Sequence, residues 1–436
     1  MMNKKAVLLL STAALLAAGC NDGKKDSLEG TDSETKQPDP VAIRVGVTQQ
    51  WLTDDEFNRY IVEPVKKKYP WINVVREAYG TGRSLSELVA AGETPDLIAQ
   101  SNTAGMPDLR NLNLFYPMTE YIAKYKLDLN QFEPEALEAV KAATQMEELA
   151  GIPYTRHFYA LYYNKDLFDK FGVAYPADGL TWDEVYELAK RLTRMEDGVQ
   201  YRGLELAPIE RPASQLSLPY VDMRTKKTLI NSDPWKRVLE LGVKVHQIPG
   251  NEQITMHSAA DSLFTQNKLA MHATINILFE ARFEDFPDLN WDMASYPVWP
   301  ELPGIGMRIN EHVMMLASTS KHKEEAFLVA ATMASEEVQM SLSRHARFSI
   351  LNSQKIRDAF GLDIPFLKGK NVQAIYKTKP AKSFVPTEYD SLAMGAMNTA
   401  LNDVIVNGKD INTVLREAEE NVNKQIEERE VAKGLK

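Results

Sequence analysis

Val41-Ala-Ile-Arg-Val-Gly-Val47, then Phe57 to Tyr69, then Trp71-Ile-Asn-Val-Val75: these stretches decide the fold. The first and third are short runs rich in β-branched residues and read as strands. Between them apolar residues recur at helical spacing. Strand, helix, strand is a βαβ unit, which sets its strands parallel with the helix laid across one face. The pattern continues with a short helix from Ser84 to Ala91 and a third strand, Pro95-Asp-Leu-Ile-Ala99. An α/β fold with a mostly parallel sheet is predicted.

Further along, Thr181-Trp-Asp-Glu184 has the S/T-x-x-E form of a capping box. The helix it opens would set Val185, Leu188, Ala189 and Leu192 on one face. Ser320 is expected to cap a helix carrying Ala326, Phe327, Ala330 and Ala334. Ile411, Leu415, Ala418, Val422 and Ile426 form a last apolar stripe. These stripes are read as core packing.

Upstream of the first strand the chain is of another kind. Lys4 and Lys5 precede 13 apolar or small residues, Ala6 to Ala18, and Gly19-Cys20 follows. A basic start, a short apolar run and a small-residue cleavage site make a secretory signal. The run is too short for a helix that needs roughly 20 residues to span a bilayer. Cys20 is the only cysteine and would become the first residue after cleavage. The arrangement resembles the lipobox of bacterial lipoproteins, with Ala17 where Leu is usual and Leu16 one position earlier. Cys20 is therefore expected to carry lipid, leaving the folded part on the outer face of the cell membrane, anchored through lipid only. Residues 21–40 are polar, with a single Leu, and read as a flexible tether.

Roughly 395 residues remain, beyond the ~250–300 at which one core stops growing, so two domains are expected. Without residues 1–19, which hold two lysines and no acid, the formal charge goes from −10 to −12. That balance argues against nucleic acid as a partner.

A resemblance covers essentially the whole mature chain. Gly92-Glu-Thr-Pro-Asp-Leu-Ile98, Gly151-Ile-Pro-Tyr154, Leu161-Tyr-Tyr-Asn-Lys-Asp-Leu-Phe168, Leu180-Thr-Trp-Asp-Glu184, Phe264-Thr-Gln-Asn-Lys-Leu-Ala-Met271, Ser320-Lys-His-Lys-Glu-Glu-Ala326 and Val404-Ile-Val-Asn-Gly408 occur in an order similar to that of family 1 extracellular solute-binding proteins, the maltose-binding type. The resemblance implies a two-lobe periplasmic-binding-protein fold with a ligand cleft between lobes joined by crossing strands. It implies an N-terminal lobe of 41–157 and 313–367 and a C-terminal lobe of 158–312 and 368–436. It also implies a monomer that captures a carbohydrate and hands it to the permease subunits of an ABC importer.

A sugar offers hydroxyl edges and C–H faces, so its site needs fixed polar groups and planar aromatics. At predicted strand ends the candidates are Trp51, Gln100, Ser101, Asn102, Tyr154, Arg156, His157, Asn276, Trp299 and Arg347. Each has a structural alternative. Trp51 could pack under the helix starting near Asp54, Gln100 to Asn102 could cap the next segment, and Trp299 could stiffen a loop between two prolines. Arg347 could pair with an acid of its own lobe.

An exported glycan-degrading enzyme is the competing reading, and an adhesin or sensor subunit on the same fold a third. Sixty acids always put some carboxylate pair within reach of another, so that carries no signal. The chain holds no H-E-x-x-H, G-x-S-x-G or P-loop. Seven histidines show no metal-ligand spacing, and Met195-Glu-Asp-Gly-Val-Gln-Tyr201 has too few oxygen ligands for a calcium loop. No catalytic residue, metal or cofactor is expected.

Overall fold

The computed structural model describes residues 38–48, 52–80, 82–206, 208–256, 258–279 and 282–434. The expected lipid attachment at Cys20, the tether as far as residue 37 and Trp51 lie outside the described residues.

The described residues form twelve strands in chain order. They are β1 (Val41–Thr48), β2 (Ile72–Tyr79), β3 (Leu97–Ser101), β4 (Gly151–Arg156), β5 (Tyr159–Asn164), β6 (Arg194–Glu196), β7 (Val199–Glu205), β8 (Leu269–Ile275), β9 (Trp291–Ser295), β10 (Ile305–Arg308), β11 (Glu311–Leu316) and β12 (Lys379–Ala381). They build a first five-stranded sheet in the order β2-β1-β3-β11-β4 and a second in the order β6-β7-β8-β5-β9. β10 and β12 form a small parallel pair of their own. β1 runs parallel to β2 and β3, while β11 returns antiparallel between β3 and β4. Both sheets lie within one compact unit, Pro40–Lys436.

Side chains alternate across each sheet, and the inner strands are covered on both faces. Leu97 and Ala99 of β3, with Met314 and Leu316 of β11, pack on one side. Ile98, Val313 and Met315 pack on the other. In the second sheet Leu161 and Tyr163 of β5 face one cluster, Ala160 and Tyr162 the opposite one. The segment after the Glu336–Arg344 helix divides its contacts. Ile350, Leu351 and Ile356 join the first sheet's core. Phe348, Phe360 and Leu367 join the second's.

Local signals settle some helix ends. Thr181 accepts from the Glu184 N–H while the Glu184 carboxylate accepts from the Thr181 N–H at 2.7 Å, the reciprocal box that opens Trp182–Leu192. Ser84 and Glu87 do the same for Leu85–Ala90. The helix expected to be capped by Ser320 begins instead at Lys323, with His322 at the cap position. The Ser320 hydroxyl is engaged elsewhere: it donates to the Asp96 carboxylate at 2.6 Å and accepts from the His322 N–H. The apolar stripe at the C-terminus lies on a long helix, Ile411–Gly434, which buries Leu415, Ala418, Val422 and Ile426.

Candidate functional site: a cavity between the two sheets

The chain leaves the first sheet after Arg156 and enters the second at Tyr159. It comes back from Arg308 to Glu311. These two crossings are bonded to each other, the His157 N–H donating to the Asn310 carbonyl at 2.8 Å. Beside them lies a cavity of about 450 Å³. Its first wall is the loop after β3, with Thr103, and the helix Met106–Asn111 that follows, with Asp108. The opposite wall comes from the second sheet: Tyr159 at the start of β5, Glu210 and Arg211 after β7, and Ile275 at the end of β8. Loops beyond strand ends are where open α/β sheets hold ligands.

The cavity combines flat apolar surface with polar groups. Tyr220 and Phe384 meet edge to face, their centroids 6.2 Å apart. The Arg308 guanidinium lies 3.9 Å above the centre of the Phe384 ring. It takes no ion-pair partner among the described residues. Burial lowers the Arg308 pKa and raises that of Glu210. Asp390 is also raised by burial, against the opposing effect of its bonds from Thr387. Arg211 donates to the Thr274 hydroxyl. Across the cavity, burial and then Glu388 raise Asp108. Arg110 of the first wall reaches the Pro386 carbonyl of the second at 3.4 Å.

The residues singled out in the sequence fall into three groups. His157, Asn276, Arg156 and Arg347 come together around a narrow crevice beside the crossings. His157 Nδ1 and Asn276 Oδ1 are 2.8 Å apart, and His157 stands edge-on to His312 at 5.1 Å. Burial lowers the pKa of both histidines, so both are neutral at pH 7. Arg156 lies 3.6 Å over Phe348 and pairs with Glu133 at 3.0 Å. Arg347 pairs with Glu56 at 2.6 Å.

Gln100, Ser101 and Asn102 instead tie the end of β3 to the second crossing. Asn102 accepts from the Glu311 N–H and donates to the Ile309 carbonyl, and Ser101 donates to Asn310. Gln100 accepts from the Ser101 N–H, and its amide fills the space where a Cβ on Gly105 would stand.

Tyr154 and Trp299 are not brought to the cavity. Tyr154 is wholly buried in the first core, where the β4 alternation points it. Trp299 packs into the second core, its indole N–H donating to the Pro212 carbonyl at 3.0 Å and its ring covered by Arg237. That satisfied donor and the buried ring fit the alternative in which Trp299 stiffens its loop.

Tyr220, Arg308, Phe384, Glu210 and Asp390 were not among the sequence candidates. The signal for Glu210, and for its neighbour Arg211, was local. Asp197-Gly198, both with positive φ, form the two-residue turn between β6 and β7, and Asp-Gly is a strong hairpin signal. Recognising β7 leads to the loop that carries Glu210 and Arg211.

A cavity between two α/β lobes joined by crossing strands, with aromatic faces and polar edges, defines a two-lobe solute-binding protein. The profile of the bacterial extracellular solute-binding proteins matches residues 52–340. The chain belongs to that family, whose members are extracellular binding proteins. Among similar solved structures is an ABC substrate-binding protein of Listeria monocytogenes in complex with cycloalternan. It is 20% identical, with a TM-score of 0.71, over 89% of this chain and 99% of that one. The sugar-binding protein MalE of Xanthomonas citri is 18% identical, with a TM-score of 0.69, over 91% and 100%. A sugar transporter of Rhizobium etli in an open conformation is 17% identical, with a TM-score of 0.70, over 88% and 99%. At such identities the likeness is one of fold.

Proposed function

We propose that this protein captures a carbohydrate outside the cell and delivers it to the permease subunits of an ABC importer, acting as a monomer without catalysis. The observation that carries the reading is the cavity at the strand ends, where Tyr220 and Phe384 offer ring surface and Arg308, Arg211, Glu210 and Asp390 offer donors and acceptors. Those are the two kinds of group that a sugar's faces and edges require. The sugar-binding character of the fold's solved relatives supports the same choice. The two bodies proposed to close on the solute are those expected as 41–157 with 313–367 and 158–312 with 368–436, with Glu311 and His312 going with the first sheet through β11.

Among the described residues no helix is long and apolar enough to cross a membrane. The lipid on Cys20 is the proposed anchor, and the mass of the N-terminal peptide from the membrane fraction tests it. An unmodified Cys20 there would remove the anchor.

The solute is tested by a thermal-shift screen against mono- and oligosaccharides. A true ligand at 100 times its Kd adds ~2.7 kcal/mol of stability, a readily visible rise in melting temperature. No shift from any sugar, with a shift from another extracellular nutrient, would sink the carbohydrate reading and keep the transport one.

A further inference from the structure

Glu311 begins β11, directly after the second crossing, and sits opposite Arg156 in the last rung of the first sheet. It is fully buried. Neither of its carboxylate oxygens has a hydrogen-bond partner among the described residues. Its backbone is fixed on both sides of that rung. Asn102 accepts from its N–H at 3.0 Å, and the Asn102 N–H donates to its carbonyl at 3.1 Å. An ionised carboxylate held without partners in such a place is costly, and the group responds by keeping its proton.

The charged groups facing it are few. Arg156 on β4 favours the ionised form, and Glu133, at the head of the Pro134–Thr144 helix, opposes it. Arg156 is already paired with Glu133, which also meets Arg357 at 3.4 Å. Asn102, after β3, is uncharged. Burial outweighs all of these and drives the Glu311 pKa well above the usual carboxylate value. His312, the next residue, belongs to the other face of the strand, against Tyr154 and His157.

We infer that separation of the two lobes is proton-linked through Glu311: the approach of the lobes encloses its carboxyl at the crossing, and their separation admits water to it. The inference rests on the lobe motion proposed above. With the lobes apart, the carboxyl ionises near its ordinary pKa of ~4.3. With them together, it holds its proton to higher pH. Opening therefore releases a proton between those two values, and raising the pH favours the open form by up to tenfold per unit. His157 and His312 act in the opposite sense, because hydrated histidines take up protons below ~6.5 and favour opening as the pH falls.

The test isolates the carboxyl from the histidines. Dyes are attached through Lys66→Cys and Lys227→Cys, exposed positions in the two lobes, in a Cys20→Ser background. Single-molecule energy transfer then gives the ratio of open to closed molecules from pH 5 to pH 9. The same measurement is made on Glu311→Gln and Glu311→Leu; either suffices if the other fails to fold. The opening ratio of the unsubstituted protein, divided by that of the variant, is expected to climb with pH by as much as tenfold per unit, because the histidines cancel. A quotient flat across the range overturns the inference and leaves lobe motion standing. A single distance at every pH in all proteins overturns both.

Discussion

Glu205→Ala lowers the free energy of unfolding by about 3–5 kcal/mol, the cost of breaking a buried ion pair by removing one partner. Glu205 is fully buried at the end of β7. One carboxylate oxygen accepts from Arg202 at 2.8 Å and from the Thr255 N–H at 2.9 Å. The other accepts from the Leu206 N–H at 3.0 Å and lies 3.4 Å from His246 Nε2. Arg202 is itself almost wholly buried, and its second guanidinium nitrogen donates to the Thr255 hydroxyl at 2.5 Å. Without the carboxylate, a guanidinium stays in the interior with no counter-charge. Chemical denaturation of both proteins measures the difference. The double substitution Glu205→Leu with Arg202→Met should recover only part of the loss: apolar residues of similar volume replace the ion pair at little net cost, but the Thr255 and Leu206 N–H groups lose their acceptor. A loss under ~1 kcal/mol in Glu205→Ala would mean that water reaches Arg202 and that the pair counts no more than one at the surface.

The same network explains what the sequence concealed. β1 and β3 lie inside the first sheet and are largely buried, so runs such as Val41 to Val47 announce themselves by composition, while β2 at its edge exposes alternate residues. β7 lies in a covered sheet too, yet its sequence, Val199-Gln-Tyr-Arg-Gly-Leu-Glu205, reads as polar. Its Arg and Glu are inside because they neutralise each other, an arrangement that depends on Thr255, Leu206 and His246 and leaves no period in the chain. With β7 unread, the loop carrying Glu210 and Arg211 had no strand end to be assigned to.

Capping boxes are a different matter. Thr181 with Glu184 closes within four residues, so spacing alone carries it. The crossings stand between these cases. Arg156, His157, Asn276 and Arg347 are candidates from separate strand ends and loops, and the structure gathers them in one crevice beside the crossings. Their partners Glu133, Glu56 and Phe348 come from distant segments, and only folding decides whether such side chains face a solute or each other. Tyr220 and Phe384, which line the cavity from separate loops, carry no local mark at all.

Tyr220→Ala and Arg308→Ala should each weaken sugar binding by at least roughly tenfold, equivalent to ~1.4 kcal/mol, because truncating an anchor in a desolvated pocket typically costs ~2 kcal/mol or more. The two act on different features of the solute. Tyr220, 4% exposed and itself part of the second core, turns what ring it shows toward C–H faces, so its truncation should cost stability as well as affinity. Arg308, its plane already fixed over Phe384, presents donors to hydroxyl oxygens without first giving up an ion pair. A donor fixed in advance loses less freedom on binding, which is where its share of the affinity arises. Trp299→Ala is the comparison that separates cleft from core. Its ring belongs to the second core, so it should cost ~3–5 kcal/mol of stability. The folded molecules that remain should bind with nearly unchanged affinity. Calorimetric titration with the sugar found in the screen, alongside denaturation curves, gives both quantities for each variant. Normal affinity in both Tyr220→Ala and Arg308→Ala would place the solute outside this cavity. A Trp299→Ala protein of full stability and reduced affinity would return the indole to the cleft.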